Sequence, residues 1–505
     1  MDRQIVRPGR AEILSNRGVC GDSGLRGVEI GGTPGFMGKK SKHGTTTPER
    51  QAARRVMKER EIDPSYGMGQ NFMTDATVAS WIVDQLEVRP GDSVMEIGPG
   101  MGALTEHLVK KGARRVILVE KDDKLVEVVR EKYGHLPGVT ILHADAVRLD
   151  MRPYFKEQPL KMLGALPYSC GTEIIRNCLK NPSPVQRAVF TLQKEVCLKL
   201  SAQPGDSLYG LLSLRQQARW QVKFLRQLPP DIFVPRPAVD SGVIAMEPRP
   251  RVGMPVFDEA VLDRVLASGF SQRRKMLRNL LPPHPAMPWE EMAAALGVLV
   301  TARAQELTLR QWVELANIFD SHALKGNPQR GEEIFDVVND RNEVIRQEMR
   351  RVVHAEGLWH RAVHLFVRNP AGDIFLQKRS HLKDSKPEKW DSSASGHLDS
   401  GEDYLTSAVR ELEEELGIKT TASRLTLLGT VPACPGTGWE FVECFLTDWD
   451  GGLHWPVSEI ETGQWFSVEE IDAWTAARPE DFADGFLECW RLWRTGKTRE
   501  SPAPG

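Results

Sequence analysis

Residues 396–418 read G-H-L-D-S-G-E-D-Y-L-T-S-A-V-R-E-L-E-E-E-L-G-I, and this stretch decides the fold of the last third of the chain. Every fixed position fits the pattern G-x5-E-x7-R-E-U-x-E-E-x-G-U, in which U is a bulky aliphatic residue. No Gly or Pro interrupts Glu402–Leu416, so the segment predicts a helix. We expect Ser400 to cap the amino end of this helix and Gly417 to follow its carboxyl end.

Three carboxylates share one face of the predicted helix. Glu411, Glu414 and Glu415 fall at i, i+3 and i+4, which places their side chains close together. Like charges at this spacing repel unless a cation lies among them, and hard oxygen ligands suit Mg²⁺ or Mn²⁺. A solvated acidic helix face would be the better interpretation of E-L-E-E-E alone. The placed glycines, Glu402 and Arg410 favour the metal site instead.

This pattern resembles the Nudix box, which marks enzymes that hydrolyse a nucleoside diphosphate linked to another group. The resemblance implies an α/β/α domain with Mg²⁺- or Mn²⁺-dependent pyrophosphohydrolase activity on a small-molecule pyrophosphate. It also implies that Glu411, Glu414 and Glu415 ligate the metal ion. Glu411 is the candidate catalytic base, oriented by Arg410.

The segments before the box resemble the Nudix branch related to isopentenyl-diphosphate isomerases. Those segments are His360–His364, Leu376–Ser380 and Lys389–Asp391. The isomerases need a Cys near the start of the box, yet residues 391–396 read D-S-S-A-S-G, so we expect hydrolysis rather than isomerisation. Candidates for phosphate contact are Lys378, Arg379 and Lys383. Glu440 and Glu443 lie beyond the box; they are alternative candidates for a base, and a surface carboxylate is the default interpretation.

Length and composition indicate a chain of several domains. At 505 residues and a net charge of −2, the chain is long enough for about two to four domains, and its average charge indicates no particular partner. Its 7 cysteines are scattered without a C-x-x-C pair, which favours a reducing compartment without disulfides or a zinc site. No apolar run reaches the roughly 18 residues of a membrane span, and no secretory signal is visible, so we expect a cytoplasmic protein.

An α/β rhythm occupies the middle of the chain. Apolar strands at Ser93–Ile97, Val116–Glu120 and Val139–His143 alternate with helices, including Asp123–Tyr133, and this alternation predicts a parallel, doubly wound sheet. The remaining predicted elements are strands at Ala188–Leu192, Gly242–Met246, Val363–Val367 and Ile374–Gln377, and helices at Arg50–Glu59, Phe270–Leu281 and Glu290–Leu296.

A glycine-rich turn, Gly98-Pro99-Gly100-Met101-Gly102, follows the first of these strands. Alone it is a weak indication, because a plain tight turn or an NAD site would look the same. Glu96 before the turn, Glu120 at the end of the next strand and Asp145 after the third strand are typical of a nucleoside-binding edge. With Glu96 in E-x-G-x-G and the later Asp145, the turn resembles that of a class I S-adenosylmethionine methyltransferase more closely than an NAD site, with Glu120 placed for the ribose hydroxyls and Asp145 for the adenine amine.

Seven motifs in order carry a more specific resemblance. They are Tyr66–Phe72, Gly98–Gly102, Ala165–Tyr168, Gln193–Val196, Phe233–Ser241, Phe270–Asn279 and Ala302–Leu307. Together they resemble the KsgA-type ribosomal RNA adenine dimethyltransferase family, a Rossmann-like class I methyltransferase fold with a small helical subdomain. The resemblance implies transfer of two methyl groups to each of two adjacent adenines in a small-subunit ribosomal RNA hairpin. It assigns S-adenosylmethionine contact to Asn71, Met73, Gly98, Glu120, Asp145 and Ala165.

The target adenine is expected at Leu166-Pro167-Tyr168, the candidate catalytic residues. An exocyclic adenine amine is a poor nucleophile, so the site must unstack the base, hold its face and accept its N–H bonds. Tyr168 suits the stacking role, and the carbonyls of Ala165 and Leu166 suit the accepting role. The alternative for L-P-Y alone is a buried turn with a packed Tyr.

The chain departs from the family at one position. The family tetrapeptide is N-L-P-Y, and this chain has Ala165 where the Asn amide stands. Loss of one positioned hydrogen bond at a reacting centre costs about 10²–10³ in rate. Two alternatives therefore stay open: a ribosome-assembly RNA-binding factor whose methyl transfer has decayed beside an active Nudix domain, or a front half that only targets the Nudix enzyme.

RNA contact is predicted for a basic cluster, Arg273, Arg274, Lys275 and Arg278, which suits phosphates of an RNA duplex or loop. A solvated helix face is the alternative for these four charges alone. The expected division of the chain is a basic leader without regular structure (1–60), a methyltransferase domain (61–248), a helical RNA-binding subdomain (249–325), a linker (326–331), a Nudix domain (332–495) and a tail (496–505).

Overall fold

A computed structural model describes residues 48–62, 70–251, 253–321 and 331–496. Four predicted segments lie outside the described residues: the leader before residue 48, the first residues of the Tyr66–Phe72 motif, the linker before residue 331 and the tail beyond residue 496. Among the helices of the described ranges, none is long and apolar enough to cross a membrane.

The front half is built around one seven-stranded sheet with helices against it. Its strands and helices are α1 (Pro48–Glu59), β1 (Phe72–Met73), α2 (Ala76–Asp84), β2 (Ser93–Ile97), α3 (Thr105–Leu108), β3 (Arg115–Glu120), α4 (Asp123–Tyr133), β4 (Val139–His143), β5 (Leu160–Ala165), α5 (Gly171–Cys178), β6 (Val185–Gln193), α6 (Lys194–Ser201), α7 (Leu211–Gln217), β7 (Trp220–Leu228), β8 (Phe233–Val234) and β9 (Ser241–Pro248).

The sheet has the order β4-β3-β2-β5-β6-β9-β7. The first five strands are parallel, as the α/β rhythm predicts, because each is joined to the next by a helical crossover. Strand β9 runs antiparallel to both of its neighbours, β6 and β7, so the prediction of a parallel sheet is wrong at this edge. The link from β7 to β9 contains no crossover helix, and such a connection leaves the two strands antiparallel.

A helical subdomain follows the sheet, with α8 (Glu259–Gly269), α9 (Trp289–Ala295) and α10 (Leu309–Phe319) around the buried Trp312. The predicted helix over residues 270–281 is wrong: this segment is a turn followed by a single 3-10 turn, Leu277–Asn279. Its backbone pairs with a distant segment instead, since Leu277 N donates to Ala302 O at 2.9 Å. That long-range hydrogen bond competes with the helix.

The rear half contains a second seven-stranded sheet and a separate two-stranded sheet formed by its first two strands. Its elements are β10 (Ile334–Val338), β11 (Val344–Met349), α11 (Arg350–Glu356), β12 (His360–Arg368), β13 (Ile374–Arg379), β14 (Trp390–Asp391), β15 (Ala394–His397), α12 (Tyr404–Leu416), β16 (Thr426–Val431), β17 (Glu440–Asp448), β18 (Ile460–Phe466), α13 (Val468–Ala477) and α14 (Asp484–Thr495). Strands β14-β13-β12-β17-β16 form the main path, with β15 paired to β12 and β18 to β13. Helix α12 packs on one face and α13 and α14 pack on the other.

Helix α12 starts later than predicted. Asp403, rather than Ser400, is the N-cap, and its carboxylate accepts from Thr406 N at 3.0 Å. Ser400 is engaged elsewhere, because its hydroxyl donates to Asp336 Oδ1 at 2.7 Å. Gly417 ends the helix with φ 68°, as expected for a left-handed terminating residue.

The two halves share a core at one aromatic contact. Phe155 lies on a 3-10 turn between β4 and β5 of the front sheet, yet its ring packs among Trp390, Phe466 and Trp474 of the rear half. Polar contacts surround this ring. Arg152 Nη1 lies 3.2 Å from Asp373 Oδ2, and further contacts join Arg478 to Gln158 O and Arg251 to Glu461.

Candidate functional site

A front cavity of about 90 Å³ opens at the carboxyl ends of β2, β3, β5 and β6. Parallel strands present their last residues along this edge, which is where α/β sheets bind ligands. The cavity brings together most of the residues predicted from sequence for cofactor and target, namely Asn71, Met73, Gly98, Glu120, Ala165, Leu166, Pro167 and Tyr168.

The glycine turn shapes one wall of the front cavity. Gly98 and Gly100 adopt φ values of 66° and 57°, which residues with a side chain rarely adopt. A Cβ on Gly100 would lie 3.1 Å from the Phe72 ring. The turn therefore brings the backbone close to the cavity, and its conformation depends on glycine.

Two acidic residues lie beside this turn. Burial raises the pKa of Glu96 to about 8, and its carboxylate accepts from Thr105 Oγ1 at 2.8 Å. Glu120 accepts from the backbone N–H groups of Gly100, Lys121 and Asp122 at 3.1, 2.8 and 3.0 Å. Burial outweighs those bonds and raises the pKa of Glu120. The three N–H bonds fix its carboxylate in the cavity wall.

Asp145 is the predicted cofactor residue that the structure does not place in the cavity wall. Its Oδ2 accepts from Lys121 Nζ at 2.8 Å, and this hydrogen bond lowers the pKa of the carboxyl. The expected adenine contact of Asp145 therefore stays a prediction.

The target side of the cavity is formed by the end of β5. Tyr168 is half-buried and its hydroxyl lies 2.5 Å from Ser241 Oγ on β9. Leu166 is buried, with its N–H bonded to Thr191 O at 2.9 Å. The Tyr168 ring is thus anchored at its hydroxyl. The carbonyl of Pro167 accepts from Gly171 N at 2.8 Å at the start of α5, which holds the bend.

All four residues of the predicted RNA cluster are exposed. Arg273, Arg274 and Lys275 lie on the turn after α8, and Arg278 lies on the 3-10 turn that follows. The Arg273 guanidinium donates to Ser207 O, which ties the turn to the loop before α7. The cluster is accessible to an RNA backbone, but from a turn rather than a helix face.

A rear cavity of about 930 Å³ lies between β12, β15, α12 and the loops around them. Cationic and acidic residues line it together. The cations are Arg350, Arg379, Lys383, Lys386 and Arg410, and the carboxylates include Glu411, Glu414, Glu415 and Glu440. Two of the predicted phosphate contacts, Arg379 and Lys383, line the cavity and Lys378 does not.

The three carboxylates of α12 differ in environment. Glu411 and Glu415 are 8% and 6% exposed, whereas Glu414 is largely exposed. Burial and the charge of Glu415 raise the pKa of Glu411, and burial raises the pKa of Glu415. A divalent cation between these two carboxylates would offset both the cost of burying their charges and their mutual repulsion. The pair therefore suits a divalent cation site.

Several contacts position these carboxylates. Arg410 Nη1 donates to Glu411 Oε1 at 2.8 Å, which is the contact expected of an arginine that orients this carboxylate. Glu415 Oε2 accepts from Gln377 Nε2 and from Ser395 N, each at 3.1 Å. Gly396 is required by close packing: a Cβ there would lie 1.9 Å from Glu411 Oε1, so the glycine makes room for that carboxylate.

A histidine cluster in the same cavity was not predicted from sequence. One ligand atom each of His354, His360 and His397 lies within 4.8 Å of the others, the one such group of three metal-capable side chains in the described part of the chain. Glu440 Oε1 is 3.0 Å from His397 Nε2 and 3.4 Å from His360 Nε2. The surface interpretation of Glu440 is therefore wrong, because strand pairing of β17 with β12 turns it toward these imidazoles.

The protonation states in this cluster suit a metal ion. Burial lowers the pKa of His397 to about 3, so the imidazole is neutral. Burial opposes ionisation of Glu440, but its contacts with the imidazoles of His360 and His397 outweigh burial and hold the pKa of Glu440 well below its usual range. His360 Nε2 is buried without a hydrogen bond of good geometry. Neutral imidazoles with a carboxylate are the ligand set of Zn²⁺, Mn²⁺ or Fe²⁺.

Two family models match the chain. The model described as ribosomal RNA adenine dimethylase matches residues 63–321, and the NUDIX domain model matches residues 358–485. The two matches coincide with the front and rear sheets, which supports the predicted fold class of a methyltransferase domain followed by a Nudix domain.

Curated relatives match the front half over nearly their full length. Ribosomal RNA small subunit methyltransferase A of Paracoccus denitrificans is 36% identical over 52% of this chain and 94% of its own length. The proteins of that name from Vibrio atlanticus and Laribacter hongkongensis are each 37% identical. Their alignments cover 50% and 52% of this chain, and 93% and 97% of the relatives.

Proposed function

The chain belongs to the ribosomal RNA adenine dimethylase family and carries a NUDIX domain, and on that premise we propose two activities for it. The front half dimethylates adenines of small-subunit ribosomal RNA with S-adenosylmethionine as methyl donor. The rear half hydrolyses a nucleoside-diphosphate-type pyrophosphate with a divalent metal ion. The observation that supports the first activity best is the front cavity, where the glycine turn, Glu120 and the Leu166–Tyr168 bend meet.

The residues of the front cavity fit S-adenosylmethionine by charge and shape. Glu120 offers a fixed carboxylate to ribose hydroxyls, and the Gly98 turn admits a ligand close to the backbone. S-adenosylmethionine held by these residues would supply an electrophilic sulfonium methyl group for the adenine amine. Tyr168 stacks on the unstacked base, and the Leu166–Pro167 bend directs carbonyl acceptors at its amine.

Methyl transfer to small-subunit particles that lack dimethyladenine tests the first activity. We expect the wild-type chain to incorporate methyl groups and Glu120→Ala to lose most incorporation through weakened cofactor binding. Ala165→Asn is the informative companion. Methyl incorporation by the wild type supports the proposed methyltransferase activity. Incorporation by Ala165→Asn alone would instead support the alternative, an RNA-binding factor whose methyl transfer has decayed.

The rear cavity supports hydrolysis of a pyrophosphate. Its cations suit the negative charges of a diphosphate, and Glu411, Glu414 and Glu415 are the residues that would hold Mg²⁺. Mg²⁺ in that position supplies charge neutralisation and a more acidic water. Glu411, held by Arg410, is the proposed base that takes the proton of that water. The nucleoside-diphosphate class is inferred from the domain, and the attached group is left open.

Phosphate release from a panel of nucleoside diphosphate derivatives in Mg²⁺ tests the hydrolase. We expect Glu411→Gln and Glu415→Gln to lose about 10²-fold or more in kcat. Glu413→Gln is the matched control, because Glu413 is exposed on the same helix and pairs with Lys419. Equal losses in all three variants would refute metal binding by the buried pair.

We also infer that the histidine cluster binds a transition metal beside the carboxylate site. Metal analysis of protein purified and dialysed against Zn²⁺ or Mn²⁺ should find one equivalent that resists Mg²⁺ exchange. His397→Asn should remove it while Glu411→Gln should not. A wild-type protein free of bound metal after this treatment would refute the site.

A further inference from the structure

One buried hydroxyl in the front cavity has no partner. Thr191 is 2% exposed on β6, and its Oγ1 makes no hydrogen bond. Buried polar side chains are nearly always satisfied, because burial removes their water and leaves the lost hydrogen bonds uncompensated. An orphaned hydroxyl in a cavity wall therefore indicates a missing ligand group.

Thr191 lies beside Ala165, the residue that departs from the family tetrapeptide. The two are direct partners in the parallel pairing of β5 with β6, and both line the front cavity. Paired residues of neighbouring strands project to the same face of a sheet. The end of β5 contributes only a methyl group here, and the neighbouring strand contributes a free hydroxyl.

The other polar side chains of this wall are already engaged. Glu96 is bonded to Thr105, and the Tyr168 hydroxyl contacts Ser241. The carboxylate of Glu120 accepts three backbone N–H groups. Among the cavity-lining residues that the structure describes, Thr191 holds the one fully buried polar side-chain atom without a partner.

The strand order places this hydroxyl on the target side. The sheet runs β3-β2-β5-β6, with Glu120 at the end of β3 and the Gly98 turn after β2. Thr191 on β6 is two strands from that turn, which is about 10 Å at the usual strand spacing. It lies instead next to the bend that carries Tyr168, whose hydroxyl partner is on β9, the next strand after β6.

We propose that Thr191 Oγ1 accepts a hydrogen bond from the exocyclic amine of the target adenine and so positions it for methyl transfer. The inference rests on the proposed function and deepens it by naming a base-positioning residue. A hydroxyl oxygen has two lone pairs and accepts an N–H bond, as the amide oxygen of an asparagine does. With one amine hydrogen held by Thr191, the amine nitrogen is fixed in position beside the methyl donor, as an in-line displacement requires. The side chain of residue 165 cannot supply this contact, because alanine has no acceptor.

Thr191→Val is the main test because it keeps the shape and removes the hydroxyl. Binding is measured with adenosine and with purine riboside, which lacks the amine, in the presence of S-adenosylhomocysteine. We expect the wild type to prefer adenosine by about tenfold, Thr191→Val to lose that preference, and Thr191→Ser to keep it. A preference retained by Thr191→Val, or absent from the wild type, would overturn the proposal.

Two further measurements separate this proposal from a structural role and from the proposed function. Thr191→Val should melt at the same temperature as the wild type or higher, since an apolar isostere removes an unsatisfied group. Its affinity for S-adenosylmethionine should be unchanged, while methyl transfer falls about 10- to 100-fold. In an Ala165→Asn background the loss should shrink, because the amide replaces the hydroxyl. A wild type without methyl transfer refutes the proposed function, and the nucleoside preference still decides the role of Thr191.

Discussion

Phe155→Ala should destabilise both halves of the chain at once. Phe155 belongs to the front half by sequence, yet it is 4% exposed within the aromatic cluster of the rear half. Its ring centroid lies 4.7 Å from that of Trp474, 5.4 Å from Phe466 and 5.6 Å from Trp390. Truncation to alanine removes a ring that closes the interface and leaves a cavity between the halves.

The expected magnitude follows from this packing. Phe→Ala in a well-packed core costs about 3–5 kcal/mol through lost transfer energy and the cavity left behind. The upper part of that range applies here, because the large aromatic rings on three sides, two tryptophans and one phenylalanine, collapse poorly into the gap. Phe155→Leu keeps most of the volume and should cost less than about 1.5 kcal/mol.

Denaturant unfolding with two probes measures the effect. Tryptophan fluorescence reports mainly on the rear half, which holds 9 of the 13 tryptophans, and S-adenosylmethionine binding follows the front half. We expect Phe155→Ala to shift both midpoints to lower denaturant. A free energy of unfolding within 1 kcal/mol of the wild type by the fluorescence probe would refute the shared core, as would a shift confined to the front half.

Three further predictions address single groups. Burial raises the pKa of Glu96 to about 8. The stability that its protonated form contributes is therefore full below the unfolded pKa of 4.5 and is lost as pH rises through 8. Thermal unfolding of the apoprotein should show Glu96→Gln gaining stability over the wild type between these two pH values, by up to about 1.36 kcal/mol per pH unit. A Cβ at residue 396 meets the Glu411 carboxylate, so Gly396→Ala should abolish Mg²⁺-dependent phosphate release while leaving methyl transfer unchanged. Arg273→Ala combined with Arg274→Ala should weaken RNA binding and lower the slope of log affinity against log salt by about 1–2, and an unchanged slope would contradict phosphate contact.

Local patterns in the sequence were sufficient for the regular elements of both sheets. Strands Ser93–Ile97 and Val139–His143 and helix Asp123–Tyr133 have the predicted bounds, because apolar runs and helix caps are read from neighbours along the chain. The predictions fail where a residue distant in sequence forms the hydrogen bond that was expected within the local segment. Asp336 engages Ser400 and moves the N-cap, and the carbonyl of Ala302 takes the Leu277 N–H out of a helix.

The candidate sites divide in the same way. The motifs alone located the glycine turn, Glu120, the Leu166–Tyr168 bend and the Glu411 helix, since each lies within one short segment. No local pattern located Thr191, whose importance depends on the strand pairing that sets it beside Ala165. A missing partner is a property of the packed protein, because it requires every neighbour of the hydroxyl to be known.

The sequence by itself therefore determined the two families, their order along the chain and the chemistry of their motifs. Only the tertiary structure decided that Glu440 contacts His360 and His397 and that Phe155 closes the core of the other half. Motifs encode the residues that a reaction needs in one segment, so they are visible along the chain. Contacts between segments hundreds of residues apart depend on how two sheets pack, and one-dimensional order carries no direct record of that.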